Sequence, residues 1–548
     1  VKLLIFLAAL AGAVVLWEYR RRPGRGARLP RNRVRAMRIR LHLRRRPFRG
    51  HATGLELWLR FGRVAAFRRS GRIRPSLTAW ARLRRPREHS VYLGRAHGFR
   101  RLNLPLEEHV VVTAPPRVGK TALVAHIVAR YPGPVLSTTT KADVFELTSG
   151  IRAEGGPVHV FNPQAIGGVP STFRWNPVAG CADQAVAIRR ADAFAKAVSM
   201  RGVEDQSFWT DKASDYLRAY FHAAALARAD MRLVARWVAG AEPDEPEGIL
   251  AANGARQWAL TLAELRGEAQ KTASTVRMTM SRSISFMTDP ALAACVLPAI
   301  TPGGGFDING FLASRGTLYM IAESQQDDAP VAPLFACLAA EIHYQAAVLG
   351  SRMPAGRLDP PLLMALDEIV QVCPVPLPAW LADSGGKGIQ VISVAHGEAQ
   401  LASRWADHGR QVILDTSGTK VLLPGITDVK TLEAASKLCG QAAYREHGHD
   451  YLSRHDAVTP DMIRQLPAGF ALVLRGSCAP VMAKLPVAWK TRTYRRARRR
   501  GEAVAVLRAA PAAEVIETVP AQAGPAQESE QPAPLTAGSA GDWPWSAR

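Results

Sequence analysis

The sequence predicts an α/β protein: a parallel-sheet core with an inserted all-α domain, an N-terminal membrane helix and a disordered C-terminal tail. Three observations carry this. From about residue 89, short apolar runs alternate with longer helical stretches, as a parallel sheet with crossover helices requires. Between roughly 181 and 300 the strand-like runs stop and apolar residues recur at helical spacing. After Trp489 the chain turns basic from Arg492 to Arg500 and then runs into Ala, Pro, Glu and Gln, without the apolar content to fold.

Composition bounds the class. Over 548 residues, 47% hydrophobic and 21% charged content supports sizeable cores and excludes general disorder. Lys and Arg outnumber Asp and Glu by 71 to 46, and the resulting charge of +25 favours polyanionic partners such as nucleic acid or anionic lipid. The six cysteines are far apart and show no ligand spacing with histidine, which argues against a disulfide framework or a zinc site and fits a reduced, cytoplasmic compartment.

The elements follow in order. Residues Leu3 to Trp17 are uncharged and apolar, close to the roughly 17 to 25 residues a membrane span needs. Ten arginines between Arg20 and Arg40 follow at once, and the positive-inside rule holds that side in the cytoplasm. Residues 1–19 are therefore expected to be a single-pass inner-membrane anchor; a buried or peripheral apolar helix is the plainer alternative. Residues 20–88 are a basic juxtamembrane region, in which Trp58, Phe61, Phe67 and Trp80 suit amphipathic helices on a membrane or a neighbouring subunit, or else a solvated linker or DNA contact. Strands are expected at Val110 to Thr113, Val135 to Leu136, Val158 to Phe161, Thr317 to Ala322, Leu362 to Leu366, Ile389 to Ala395 and Thr419 to Leu423. These divide the core into a first part, 89–180, and a second, 301–490, around an all-α insertion at 181–300. The tail is 491–548.

Three motifs carry chemistry. Ala114 to Thr121 reads Ala-Pro-Pro-Arg-Val-Gly-Lys-Thr, between an apolar strand and the helical stretch Leu123 to Ala129. Such a turn grips phosphate through free backbone N–H groups at a helix N-terminus. Ala114, Arg117, Val118, Gly119, Lys120 and Thr121 would bind nucleotide, Lys120 reaching the β- and γ-phosphates and Thr121 ligating Mg²⁺. Ala114 stands where the strict pattern has glycine. The second motif is the apolar strand Leu362 to Leu366 ending in Asp367-Glu368. ATP hydrolysis needs one carboxylate on the Mg²⁺ shell, here Asp367, and one to polarise water, here Glu368; a helix cap after a buried strand is the alternative. The third is the loop Gly385 to Gly388 leading into a strand that ends at His396. Lys387 or His396 could approach a γ-phosphate, or be an ordinary loop lysine and histidine.

In this order the motifs resemble the TraG/TraD family of type IV secretion coupling proteins, which pass DNA and its attached relaxase to a conjugation channel. The resemblance covers about 90 to 490. It includes Glu108 to Val112, Thr140 to Asp143, Glu146-Leu147-Thr148, Phe161-Asn162-Pro163, Trp175-Asn176-Pro177 and Phe208-Trp209-Thr210-Asp211. It continues through Ala365 to Glu368, Gly388-Ile389, Ala399-Gln400-Leu401 and Ser417 to Lys420. It implies a RecA-like P-loop ATPase core using ATP and Mg²⁺, an inserted α domain that contacts DNA or substrate, a membrane anchor and a homo-hexameric ring. The implied partners are DNA, expected to be single-stranded, a relaxase or other secreted substrate, and secretion-channel components.

The departures from the family are specific. His396 stands where the family usually has a glutamine, and Gly385 and Lys387 occupy a loop that usually carries an arginine acting in trans. Arg404 or Arg410 could substitute for it. One apolar segment is present where the family usually has two. A nucleotide-binding scaffold or substrate receptor with little turnover is the alternative from another class. An FtsK-like DNA pump shares the chemistry but is disfavoured by the α insertion after Pro177.

Overall fold

The computed structural model describes residues 50–96, 100–199, 205–298, 305–323, 330–445, 452–492 and 494–495. The apolar run at 3–17, the arginines that follow it and the tail beyond 495 lie outside the described residues.

Seven strands form a parallel sheet: β3 (Val110–Thr113), β4 (Val135–Thr139), β5 (Val158–Phe161), β6 (Thr317–Ile321), β7 (Leu362–Leu366), β8 (Ile389–Ala395) and β9 (Thr419–Leu422). Their order is β9-β3-β8-β7-β4-β6-β5. In all but β5 and β9 every residue is buried, so the apolar run read from sequence is a strand covered on both faces. Each of the seven runs expected from sequence is found here as a strand.

Four further strands extend the sheet beyond β9: β1 (Ser90–Arg95), β2 (Arg101–Pro105), β12 (Phe470–Arg475) and β13 (Cys478–Lys484). They pair antiparallel in the order β2-β1-β13-β12, with β12 antiparallel to β9. A separate hairpin joins β10 (Gln441–Arg445) to β11 (Leu452–Asp456).

Between β5 and β6 the described elements are helical. The helix Gln184–Lys196 packs along Gln206–Leu226. Phe194, Phe221 and Phe286 sit at their junction. These side chains belong to one buried cluster with Leu136, Phe161 and Leu318 of the sheet, so the helices share a core with the strands. The helix Ala332–Ser351 is long and apolar enough to cross a membrane, but Leu334, Phe335, Leu338 and Ile342 place it in that same core.

For residues 20–88 the sequence leaves helices on a membrane or a neighbouring subunit, a solvated linker and DNA contact open. In their described part Leu57, Phe61, Ala66 and Ile73, on the helices Gly54–Phe61 and Arg63–Ile73, are buried, and Leu57, Phe61 and Ile73 join a cluster with Val91, Leu102 and Val473. Phe61 is a core residue; Trp58 and Trp80 remain exposed. Arg74, itself fully buried, fastens this region by donating to Asp359 Oδ1 at 2.5 Å and Glu88 Oε2 at 2.8 Å.

Candidate functional site

The parallel strands end on one edge, and three of them deliver the predicted groups there. β3 leads into the turn 114–119, β7 into Asp367-Glu368 and β8 into His396, and β8 lies between the other two.

The turn is shaped by two residues with left-handed backbones, Arg117 at φ 62° and Gly119 at φ 103°. A side chain added at Gly119 would meet nothing within 4 Å, so its glycine is required by conformation and the space beside it is open. Ala114 is fully buried, its backbone is not left-handed, and its N–H donates to Ala395 O at 3.0 Å. The position therefore accepts a methyl group, which is why the departure from glycine leaves the turn intact. The helix Lys120–Val128 starts with no side chain capping its N-terminus, leaving backbone donors facing the turn.

Lys120 Nζ donates to Glu368 Oε1 and stands 3.9 Å from Asp367 Oδ1. Burial lowers the Lys120 pKa, opposed by the charges of Asp367 and Asp143 and assisted by Lys141. Asp367 is buried and its pKa is raised, burial outweighing the nearby Lys120. Its Oδ1 accepts from Glu368 N at 3.1 Å, and Thr138 Oγ1 fixes its carbonyl at 3.0 Å. Glu368 has φ 50°, a strained value for a side chain of this kind, at the junction of β7 and the one-turn helix Ile369–Val372.

His396 joins the cluster from β8. Its Nδ1 lies 3.2 Å from Ala114 O and, since a carbonyl only accepts, carries the proton. Nε2 stands 2.9 Å from Glu368 Oε2. Burial, then the Lys120 charge, lowers the His396 pKa. Among the described residues no side chain other than His396 pairs with Glu368 Oε2, which is buried.

The structure does not bring Lys387 to this site. Lys387 precedes β8, at the opposite edge of the sheet, and pairs with Asp383. The seven residues of β8 separate it from His396 by about 20 Å. Gly385 lies at that same edge, where an added Cβ would fall 2.5 Å from Glu107 O. Arg410 is held by Glu398 at 2.9 Å and by Asp407, and Arg404 donates to Lys196 O at 2.8 Å. Motif reading assigned no role to Gln400, whose Oε1 accepts from His396 N at 2.9 Å and orients that residue.

The residues present fit a magnesium nucleotide. The uncapped helix end suits phosphate, and two carboxylates against one ammonium and a neutral imidazole leave a negative charge suited to a divalent cation. Among the described residues no group of three His, Cys, Asp or Glu converges to hold a metal alone. Mg²⁺ usually takes few protein ligands and completes its shell with phosphate and water, so one hydroxyl and one carboxylate at the turn would suffice to hold it.

The family described as "TraM recognition site of TraD and TraG" matches residues 361–468, which begin at β7 and include both carboxylates. No curated protein matches the chain significantly. Among solved structures, the fold is similar to the plasmid coupling protein TrwB in complex with the non-hydrolysable GTP analogue GDPNP. The TM-score is 0.55 at 19% identity, covering 72% of this chain and 89% of that one. TrwB in complex with ADP and Mg²⁺ gives 0.53 at 19%, over 70% and 88%. The unbound monoclinic form of the bacterial conjugative coupling protein TrwBdeltaN70 gives 0.55 at 18%, over 73% and 91%. Residues 361–468 are thus similar to the TraM recognition site of TraD and TraG, and the chain around them is similar in fold to the coupling protein TrwB.

Proposed function

We propose that the chain is an inner-membrane-anchored ATPase that couples hydrolysis to the transfer of DNA, or DNA with its relaxase, into a type IV secretion channel. The observation that carries the reading is the convergence of Lys120, Asp367, Glu368 and His396 from three adjacent strands onto the phosphate-gripping turn. The similar TrwB structures hold ADP with Mg²⁺ and nucleotide analogues, which supports nucleotide as the ligand.

In this reading Lys120 and the backbone donors of the turn bind the phosphates, and Thr121 with Asp367 would hold Mg²⁺. The metal, once bound, supplies charge neutralisation at the phosphates. Glu368 would orient the attacking water through Oε2, the oxygen that Lys120 does not engage, and His396 would limit where that oxygen can turn. The anchor is residues 1–19 and the helical insertion contacts the substrate. Subunits assemble as a hexamer so that a neighbour supplies a cation to each site. The match to a TraM recognition site supports a relaxosome partner docking on the second part of the core.

ATP hydrolysis by the unmodified chain and by its Lys120→Ala and Glu368→Gln variants, with and without single-stranded DNA, tests the proposal. DNA-stimulated turnover in the unmodified chain alone supports it. Equal background turnover in all three overturns it. A scaffold with little turnover is the second reading, favoured by the engagement of Arg410 with Glu398, which occupies a substitute for the missing trans arginine. In that case nucleotide binds through Lys120 with no DNA-stimulated hydrolysis.

A further inference from the structure

The P-loop helix ends, at His126 to Val128, beside a second concave site that the nucleotide chemistry does not use. A cavity of about 670 Å³ lies between that helix end, β1, β2 and the segment 84–88. Seven arginines line it, Arg87, Arg95, Arg101 and Arg130 among them. The one acid among the described residues of its wall, Glu88, is already bound to the buried Arg74. Arg87, Arg101 and Arg130 bear on one another electrostatically: burial, then Arg87 and Arg101, lowers the Arg130 pKa. The helix C-terminus adds only partial negative charge there, which seven guanidinium groups outweigh.

A second observation points to a ligand. His126 lines the same cavity at 3% exposure, and its Nε2 has no hydrogen-bond partner among the described residues. Burial, then the charges of Arg130 and Arg87, pushes its pKa down to about 4, so the ring is neutral and one ring nitrogen can donate. A buried polar atom without a partner costs free energy unless something fills the space before it.

We propose that this cavity binds a phosphate-bearing anion of headgroup size. Planar guanidinium forks match phosphate oxygens in pairs, and a concave pocket holds one compact group rather than a running strand. Its rim suggests where the phosphate comes from. Arg84 of the wall stacks over Trp80 at 4.7 Å, and that ring is 63% exposed; Arg63 follows the exposed Trp58 and Leu59. Aromatic and aliphatic side chains beside arginines suit the interface of an acidic bilayer. The site lies beyond the far end of the nine-residue helix that begins at the nucleotide turn, about 13 Å long, so one rigid element connects it to Lys120. The lipid source rests on the membrane-anchored reading; the anion site does not.

The full chain in a neutral detergent, titrated by calorimetry with inorganic phosphate, glycerol 3-phosphate, short-chain phosphatidylglycerol and short-chain phosphatidylcholine, tests this. The unmodified chain is expected to bind phosphatidylglycerol, with at least ~10-fold weaker binding in an Arg101→Gln/Arg130→Gln variant and no change in an Arg68→Gln/Arg69→Gln control. Binding of phosphatidylglycerol but not of the free phosphates assigns the lipid as source; equal binding of the free phosphates assigns a soluble anion. Equal affinity of every probe for all three proteins overturns the site. So does a short single-stranded oligonucleotide that alone depends on Arg101 and Arg130, which would make the cavity a nucleic-acid contact. Nucleotide affinity, measured in parallel, is expected to be unchanged by these substitutions and reports that the variants are folded. Failure of ATP turnover would leave this result untouched.

Discussion

Lys120 donates to Glu368 across 248 positions of sequence, so the phosphate-binding cation is tied to the carboxylate expected to activate water. Nucleotide and Glu368 therefore compete for one ammonium. Glu368→Gln removes a charged partner and is expected to tighten nucleotide binding by about 3- to 10-fold while lowering turnover at least ~100-fold. Lys120→Ala is expected to abolish detectable binding. Calorimetric nucleotide titration of both variants checks this, and weaker binding in Glu368→Gln would contradict the competition.

His396 touches both sides of the site, through Ala114 O at 3.2 Å and Glu368 Oε2 at 2.9 Å. His396→Ala is expected to lower turnover ~10- to 100-fold with nucleotide affinity altered less than ~3-fold, because only the water-orienting oxygen loses its neighbour. His396→Gln restores a donor to Ala114 O and is expected to recover part of the rate. Separate measurement of kcat and KM decides: a change confined to KM would place His396 in ground-state binding instead.

Lys387→Ala is expected to leave nucleotide affinity unchanged, since the side chain pairs with Asp383 at the other edge of the sheet. A loss of more than ~3-fold in a nucleotide titration would contradict that placement.

Lys387 also shows what a sequence conceals. It lies close to His396 along the chain, but the extended strand Ile389–Ala395 carries the backbone across the whole sheet between them. The seven parallel strands were legible because burial on both faces leaves an uninterrupted apolar run, as in Leu362 to Leu366. The antiparallel flank was not: β1 mixes Ser90, Gly94 and Arg95 with its apolar residues, and β13 opens on Cys478, Ala479 and Pro480, a start that carries no β-branched or aromatic signal. Lys120 with the Asp367-Glu368 pair was legible because each side chain directly follows its strand or turn. The contact of Gln400 with His396 depends on the start of the helix Glu398–Thr416 folding back, which no local pattern announces.

Stability is expected to fall as the solution is acidified through the histidine range. Burial lowers the pKa of His109 and of His126 from 6.5 to about 4. Between those values the unfolded chain binds more protons than the folded one, so unfolding is favoured as pH drops from about 6.5 towards 4 and the effect levels off below. Each histidine contributes on the order of 3 kcal/mol at full titration. Val391 N donates to His109 Nδ1 at 3.1 Å, so His109→Gln keeps an acceptor there while removing the titration. Melting temperatures from neutral pH down to about pH 4.5 should show a shallower decline for that variant; an unchanged slope would remove His109 from the account.

Arg74 tests whether the N-terminal helices are part of the fold. Its guanidinium, 1% exposed, satisfies Asp359 at 4% exposure and Glu88, while Ser76 N donates to the other Asp359 oxygen at 2.8 Å. Removing the cation strands a buried carboxylate, whereas removing both charges does not. Arg74→Met is expected to cost about 3–5 kcal/mol, and Asp359→Asn added to it should recover part of that loss. Thermal melting of the two single variants and the double variant supplies the cycle. If Arg74→Met melted like the unmodified chain, residues 50–88 would be a detachable linker, and the burial of Phe61 and Ile73 would contribute little to holding them.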